Sequence, residues 1–237
     1  MKVLVLECSI YPTGALRSIL GMAEALREQG FAFHFAMDGD TTAADCVRQK
    51  GFDVHHLRMA SLSKRLSGLL YPFKLVRDSF RVWRLFRSVR ADILHVNDIY
   101  LLAGVSVSFI RDVRLVQHCR LLRSSYIGLA YSFFSGLVCA RAKRVIAVSE
   151  AVRADLGDHQ NVRVIFDAID GAETPPEKVY RDHSQDCRFL YVGNFVRGKG
   201  HDLAIAAFSR VVERYPLFRM NMVGVGANGE LDPGFVR

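Results

Sequence analysis

Short apolar, β-branched runs alternate with stretches of helical periodicity from the first residues onward, and nothing else in the sequence limits the fold as strongly. KVLVLE reads as a strand, and SILGMAEALREQG as an amphipathic helix closed by Gly30. FAFHFAM and VHHLRM read as a second strand and a short third one. DILHV and RLVQH follow, separated by the helical LLAGVSVSFIRD; then come RVIAVS, the short helix EAVRADLG and the strand VRVIFDAID. Strands alternating with helices in this way specify a parallel sheet covered on both faces. The predicted class is α/β.

The composition changes near residue 171. GAETPPEKVYRDHSQD is polar, carries two adjacent prolines and has no apolar period, so it reads as a linker. One strand–loop–helix–strand unit follows: CRFLYV, NFVRGKG, HDLAIAAFSRVVERYP and LFRMNMVGVG. The predicted organisation is an α/β domain over 1–171, a linker over 172–186, and part of a second α/β domain over 187–237. Two parallel strands under one helix leave open edges and an uncovered sheet face, so this last region is expected to be the beginning of a larger domain.

Several classes are set aside on composition. The most apolar stretch, Tyr126 to Ala140, is shorter than the ~18–20 residues of a membrane span and is followed at once by Arg141, Lys143 and Arg144. The N-terminus carries Glu7 inside its apolar run and reads as a strand, not a signal peptide. Five cysteines without repeated spacing suggest free thiols in a reducing, cytoplasmic setting. No Cys/His group has zinc spacing, and neighbouring His55 and His56 point to opposite sides of a strand, so no metal site is expected.

The loop GNFVRGKG most needs a chemical explanation. Gly193, Gly198 and Lys199 fit G-x-x-x-x-G-K between a strand and a helix, yet Gly200 stands where a P-loop needs Ser or Thr for Mg²⁺. The first strand is followed by CSIYPTGALRS, with one glycine where a dinucleotide fingerprint needs three. Asp38-Gly39-Asp40 has the form of a D-x-D metal motif but sits at a strand end, where an acidic turn is the simpler reading.

Taken together, six segments resemble a family 4 glycosyltransferase of the GT-B fold, in which two Rossmann-like domains face each other. TGALRS resembles the glycine-rich acceptor-side loop, with Ala15 in place of a second glycine. DILHVND resembles the D-h-h-H-x-H/N-D segment, and LVQHCR places His118 like the active-site histidine. RVIAVSEAVRADL resembles the V-S-e stretch. VRVIFDAID resembles v-x-v-I-x-N-G-h-D, with Asp167 where asparagine is usual and Asp170 in register. FLYVGNFVRGKGHDLAIAAF resembles the diphosphate loop.

The resemblance implies transfer of a sugar from a nucleotide-sugar donor to a glycan or lipid-linked acceptor, retaining and metal-independent, with no cofactor beyond the donor substrate. It implies His118 as the catalytic candidate. Lys199, with Gly193, Asn194 and Arg197, would hold the donor diphosphate, and Gly14, His95, Asn97 and Asp98 would lie on the acceptor side. Asn194 replaces the family's arginine and cannot supply its charge-assisted fork; Arg197 is the candidate substitute. Asp98 has an alternative reading as a helix N-cap. The family's E-x₇-E pair is absent after the loop: Glu213 and Glu230 are seventeen apart. This chain is therefore expected to be weak or inactive as a transferase, with a non-catalytic sugar- or partner-binding role as the alternative.

Of the formal charge of +8, a net +7 falls between Lys64 and Arg90. Apolar residues at 73, 76, 80, 83, 86 and 89 run beside basic Lys74, Arg77, Arg81, Arg84, Arg87 and Arg90. This reads as an apolar stripe beside a cationic one, either a core helix with a solvated basic edge or a contact for anionic lipid at the inner face of the membrane. Nucleic acid is not expected, because Phe80, Trp83 and Phe86 fall on the apolar stripe.

Overall fold

The computed structural model describes residues 1–59, 71–99, 101–110, 113–125, 128–168, 187–195 and 199–224. The chain forms two compact units, Met1–Gly171 and Ala172–Arg237. The expected linker 172–186, together with Lys64, Arg65, Asp170, Arg197, Gly198 and Glu230, lies outside the described residues.

The first unit is built on β1 (Lys2–Leu6), β2 (Ala32–Met37), β3 (Asp53–His56), β4 (Ile93–Asn97), β5 (Arg114–Cys119), β6 (Arg144–Ala147) and β7 (Val162–Val164). All pair in parallel in the order β3-β2-β1-β4-β5-β6-β7. The order reverses between β1 and β4, and such a switch point opens a crevice at the carboxyl ends of the strands. The intervening helices are α1 (Gly14–Arg27), α2 (Thr42–Gln49), α3 (Tyr71–Val89), α4 (Leu102–Ile110), α5 (Gly128–Arg141) and α6 (Glu150–Leu156).

Local chemistry starts several of these helices. The Thr13 hydroxyl accepts from Leu16 N at 3.2 Å, Thr41 from Ala44 N at 3.2 Å and Ser149 from Val152 N at 3.2 Å. Successive side chains of a strand alternate between faces, so Leu4, Leu6, Leu94 and Val96 enter one apolar layer with α3, α4 and α5. Val3, Val5, Phe33, Phe35 and Ile93 enter the other, with α1 and α2.

Three details differ from the sequence reading. Helix α2, eight residues long with few apolar ones, is not among the predicted elements; it is capped by Thr41 and buries Ala43, Ala44 and Val47. The last strand of the sheet ends at Val164, not at Asp170. The apolar stretch before Arg141 belongs to α5; no helix among the described residues is long and apolar enough to cross a membrane.

The second unit contains β8 (Arg188–Val192), α7 (His201–Arg214) and β9 (Arg219–Val223), with β8 and β9 parallel. Gly224 is obligatory here, because a Cβ on it would lie 1.8 Å from the Gly193 carbonyl oxygen. Leu190, Val192, Leu203 and Val223 are exposed on this unit.

Candidate functional site

Strand alternation gathers the polar residues of the first unit. Glu7 follows β1 on the side of Val3 and Val5. His95 and Asn97 share that side of β4, and Asn97 is in register with His118 on β5. Arg120, two residues beyond His118, extends the same face. All five therefore converge at the carboxyl ends of three adjacent strands, beside the switch point.

A directed hydrogen-bond chain joins them. Glu7, buried, accepts from Cys8 N at 2.8 Å and Ser9 N at 2.9 Å through Oε1, and from Asn97 Nδ2 through Oε2. The Asn97 amide oxygen accepts from Arg120 Nε at 2.9 Å. Arg120 Nη1 lies 2.7 Å from both carboxylate oxygens of Asp167, just past β7. Ser18 of α1 donates to Asp167 Oδ1 at 2.5 Å, and Arg120 Nη2 reaches Ser18 Oγ and His118 Nδ1, each at 3.4 Å.

Two histidines complete the site. Their rings lie 5.6 Å apart, and both Nε2 atoms are buried without a hydrogen-bond partner among the described residues. Burial, reinforced by the Arg120 charge, pushes His95 down to about 4. Burial first, then Arg120 and His95, push His118 down to about 2. Both rings are therefore neutral near pH 7. A buried polar atom left unpaired costs about 1–3 kcal/mol, so two such Nε2 atoms at the carboxyl ends of neighbouring strands single this place out as a candidate ligand site.

Asp98 is not a helix N-cap: α4 begins only at Leu102, and the Asp98 carboxylate accepts from Ile99 N at 2.6 Å. Its φ of 96° is a conformation that L residues rarely adopt, held by Asp98 N donating to the His118 carbonyl at 3.0 Å. Gly14 is the first residue of α1, and a Cβ there would meet nothing within 4 Å. Its small size leaves open space and is not demanded by a protein neighbour.

In the second unit, Gly193 N continues the ladder to the Val223 carbonyl at 2.9 Å. Asn194 and Lys199 are exposed, and the Tyr191 hydroxyl donates to the Lys199 carbonyl. Gly200 has a φ of 76° at the start of α7, the left-handed conformation that glycine tolerates. Behind the loop, the buried His201 ring lies 5.0 Å from Tyr191 and 5.0 Å from Phe195, with Nε2 3.4 Å from the Gly193 carbonyl.

The D-x-D segment behaves as a braced turn. Asp38 pairs with Arg58 at 2.7 Å, which holds its carboxyl below the usual range, and His56 Nδ1 accepts from Gly39 N at 2.9 Å. Asp38, Asp40 and His56 do cluster closely enough to share an ion. The His56 Nδ1 that faces both carboxylates, however, already accepts from the Gly39 amide.

The two stripes expected on α3 do not run the length of the helix. A series spaced 3-4-3-3-3 lags a 3.6-residue period and winds roughly 200° around the axis over residues 73–89. Phe73, Val76 and Phe80 are thus 76%, 71% and 53% exposed, while Val89 is buried. The core-facing side is Asp78, Ser79, Val82 and Val89 instead. Arg77 is bound to buried Asp78 at 2.8 Å, and Arg81 donates to the Arg58 carbonyl at 3.2 Å. Arg84 lies 6.0 Å over the exposed Phe80 ring, and Arg87 is exposed.

Sequence reasoning missed the roles of Glu7, Arg120 and Ser18. Arg120 had a signal, the period of two from His118; Glu7 and Ser18 acquire their partners only through tertiary register.

Comparison with known proteins agrees with this architecture. A family model described as a glycosyl transferase 4-like domain matches residues 13–165. An uncharacterised glycosyltransferase of Methanocaldococcus jannaschii is 22% identical over 188 residues, covering 69% of this chain and 46% of its own. A UDP-N-acetylglucosamine–N-acetylmuramyl-(pentapeptide) pyrophosphoryl-undecaprenol N-acetylglucosamine transferase of Colwellia psychrerythraea is 29% identical over 77 residues, 32% of this chain and 20% of its own. Among solved structures, Anabaena HepE in complex with UDP and glucose superposes with a TM-score of 0.70 at 20% identity, over 97% of this chain and 62% of that one. A glycosyltransferase of Rickettsia africae gives 0.68 at 18% identity, over 99% of this chain and 62% of that one. The chain thus spans less than half of these curated relatives and under two thirds of these solved chains. With an α/β fold of GT-B type and a family match across well over half of its residues, the chain belongs to the glycosyl transferase 4-like family.

Proposed function

We propose that this protein takes part in transfer of a sugar from a nucleotide-sugar donor to a glycan or lipid-linked acceptor. The observation that carries the reading is the buried polar constellation of Glu7, His95, Asn97, His118 and Arg120 at the switch point of a sheet of this family. His118 faces the reacting sugar, with Gly14, His95, Asn97 and Asp98 on the acceptor side. Lys199 and the loop from Gly193 through Asn194 and Arg197 take the diphosphate, where cationic charge and backbone N–H groups stabilise the leaving group. HepE was solved with UDP and glucose, which supports a uridine nucleotide as the first donor to try. Retention of configuration and independence of a metal ion belong to the same proposal; the product anomer and transfer in the presence of EDTA test them.

The direct experiment is calorimetric titration of uridine, UDP and UDP-glucose into the 237-residue chain and its K199A variant. UDP is expected to bind at least tenfold more tightly than uridine, and K199A to remove most of that difference, because a charged hydrogen bond is worth ~1.5–3 kcal/mol. Equal affinity for uridine and UDP would refute the diphosphate assignment. Binding without turnover of a donor and acceptor panel would favour a sugar- or partner-binding role.

Membrane contact is part of the proposal in a revised form. Phe73, Val76, Phe80, Arg77, Arg84 and Arg87 share an arc of roughly 100° on α3, apolar toward its start and cationic toward its end. Each basic residue near an anionic surface is worth ~1 kcal/mol, so R84E/R87E is expected to reduce flotation with phosphatidylserine vesicles more than tenfold. Flotation that is independent of anionic lipid would refute it.

A further inference from the structure

Arg120 is the most connected side chain of the site, and its direction of donation has a consequence for His118. A guanidinium only donates hydrogen bonds. With Nη2 of Arg120 3.4 Å from Nδ1 of His118, the imidazole nitrogen facing it must be the acceptor. A proton on that nitrogen would set two donors against each other. In a neutral ring the single proton then resides on Nε2, the buried atom without a protein partner among the described residues. We propose that Arg120 is a positioning residue that fixes His118 in its Nε2–H tautomer, so that the ring presents a hydrogen-bond donor, not a base, to an oxygen of the bound sugar.

The surroundings favour this arrangement. Arg120 is held on three sides: by Asn97 Oδ1 at 2.9 Å, by both Asp167 oxygens at 2.7 Å and by Ser18 Oγ at 3.4 Å. Its donor cannot swing away from Nδ1 without breaking the ion pair. The other ring nearby, His95, is neutral, and the Asp98 amide donates to the His118 carbonyl at 3.0 Å. Asp167 is a carboxylate, so the clamp on Arg120 is a charged one. A neutral, donor-only histidine can orient a sugar hydroxyl or ring oxygen and can stabilise negative charge developing on it. It cannot withdraw the acceptor's proton, because its Nε2 already carries one.

The donor role rests on the substrate-facing reading of His118 given above, whereas the tautomer does not. The experiment is a long-range ¹H–¹⁵N correlation spectrum of the whole chain labelled at histidine, with the His118 signals identified by their loss in H118Q. Nitrogen shifts distinguish a protonated ring nitrogen from a bare one. The expected result is a protonated Nε2 and a bare Nδ1 at every pH from 5 to 8. In R120M the bare Nδ1 signal is expected to shift toward a tautomer mixture, and in R120K, which keeps a donor, to move back toward the wild-type position. A wild-type Nδ1–H signal overturns the proposal outright, whether or not the variants fold. A folded R120M with an unchanged His118 spectrum overturns the part played by Arg120. If the tautomer is as stated and UDP-glucose leaves the His118 signals unmoved, the donor role fails while the tautomer stands.

Discussion

Replacing Glu7 by glutamine tests whether the hydrogen-bond chain at the switch point has the direction read from it. Arg120 donates to Asn97 Oδ1, which fixes the Asn97 amide so that Nδ2 must donate to Glu7 Oε2. A glutamine at position 7 can keep the bonds from Cys8 N and Ser9 N with its oxygen in the Oε1 position. Its NH₂ group then faces the Asn97 NH₂, and turning either amide breaks a bond elsewhere. The loss is one bond to a charged acceptor plus a buried donor without a partner, ~1–3 kcal/mol. For a unit of this size each kcal/mol moves the midpoint by about 2–4 °C, so E7Q is expected to lower Tm by about 2–12 °C. N97D alone sets two buried carboxylates in contact and is expected to cost at least as much. The double variant E7Q/N97D restores one donor against one acceptor and keeps Arg120 facing an oxygen. It is therefore expected to be more stable than the sum of the single losses by 1 kcal/mol or more. Thermal unfolding followed by circular dichroism, with urea titrations for the cycle, measures this. Strict additivity, or an E7Q protein as stable as wild type, would show that the chain does not run in this direction.

Two further predictions concern stability. His95 and His118 are held neutral, at about 4 and about 2, whereas an unfolded histidine titrates near 6.5. The unfolded chain therefore takes up protons that the folded rings refuse. Stability from these groups is complete above about pH 6.5 and falls as the pH drops, until about 4 for His95 and about 2 for His118, with each ring costing about 2 kcal/mol at pH 5. H95Q is expected to reduce the pH slope of unfolding free energy between pH 6 and 5 by nearly one proton, and an unchanged slope would refute the burial argument. In the core, a Cβ on Gly104 would sit 2.3 Å from Val96 Cγ2 and 3.1 Å from Leu6 Cδ1. G104A is expected to cost ~1–3 kcal/mol in urea unfolding, with V96A in the same chain relieving part of that loss.

The layout of the sheet was legible because it depends on local patterns. Runs such as KVLVL and DILHV are apolar on both faces, which only a doubly covered parallel sheet accommodates. Helix α2 was not legible, since its helicity rests on one threonine cap and three small or medium residues buried against β-strands. The face of α3 was misjudged for a geometric reason: residue spacing near 3.2 resembles a stripe over two turns and drifts off it over four. At the site, His95, Asn97 and His118 were identifiable as strand-end polar residues, and the same alternation extends to Arg120. Glu7 was not identifiable as a partner of Asn97, because their contact exists only through the pairing of β1 with β4. Asp167 could be noticed only as an unusual residue; its bond to Arg120 comes from the fold.

The contact between Ser18 and Asp167 closes a loop of 149 positions, and Glu7 and Asn97 are 90 apart. Closing loops of that length costs entropy that grows with their length, and Asp167 joins the site only when β7 docks at the sheet edge. Until then Arg120 lacks the carboxylate that clamps it. A partly folded molecule with β1 to β5 in place could carry the Glu7–Asn97–Arg120 bonds but would lack the Asp167 carboxylate that clamps the guanidinium. Competence of the crevice is in this sense a report on the farthest strand.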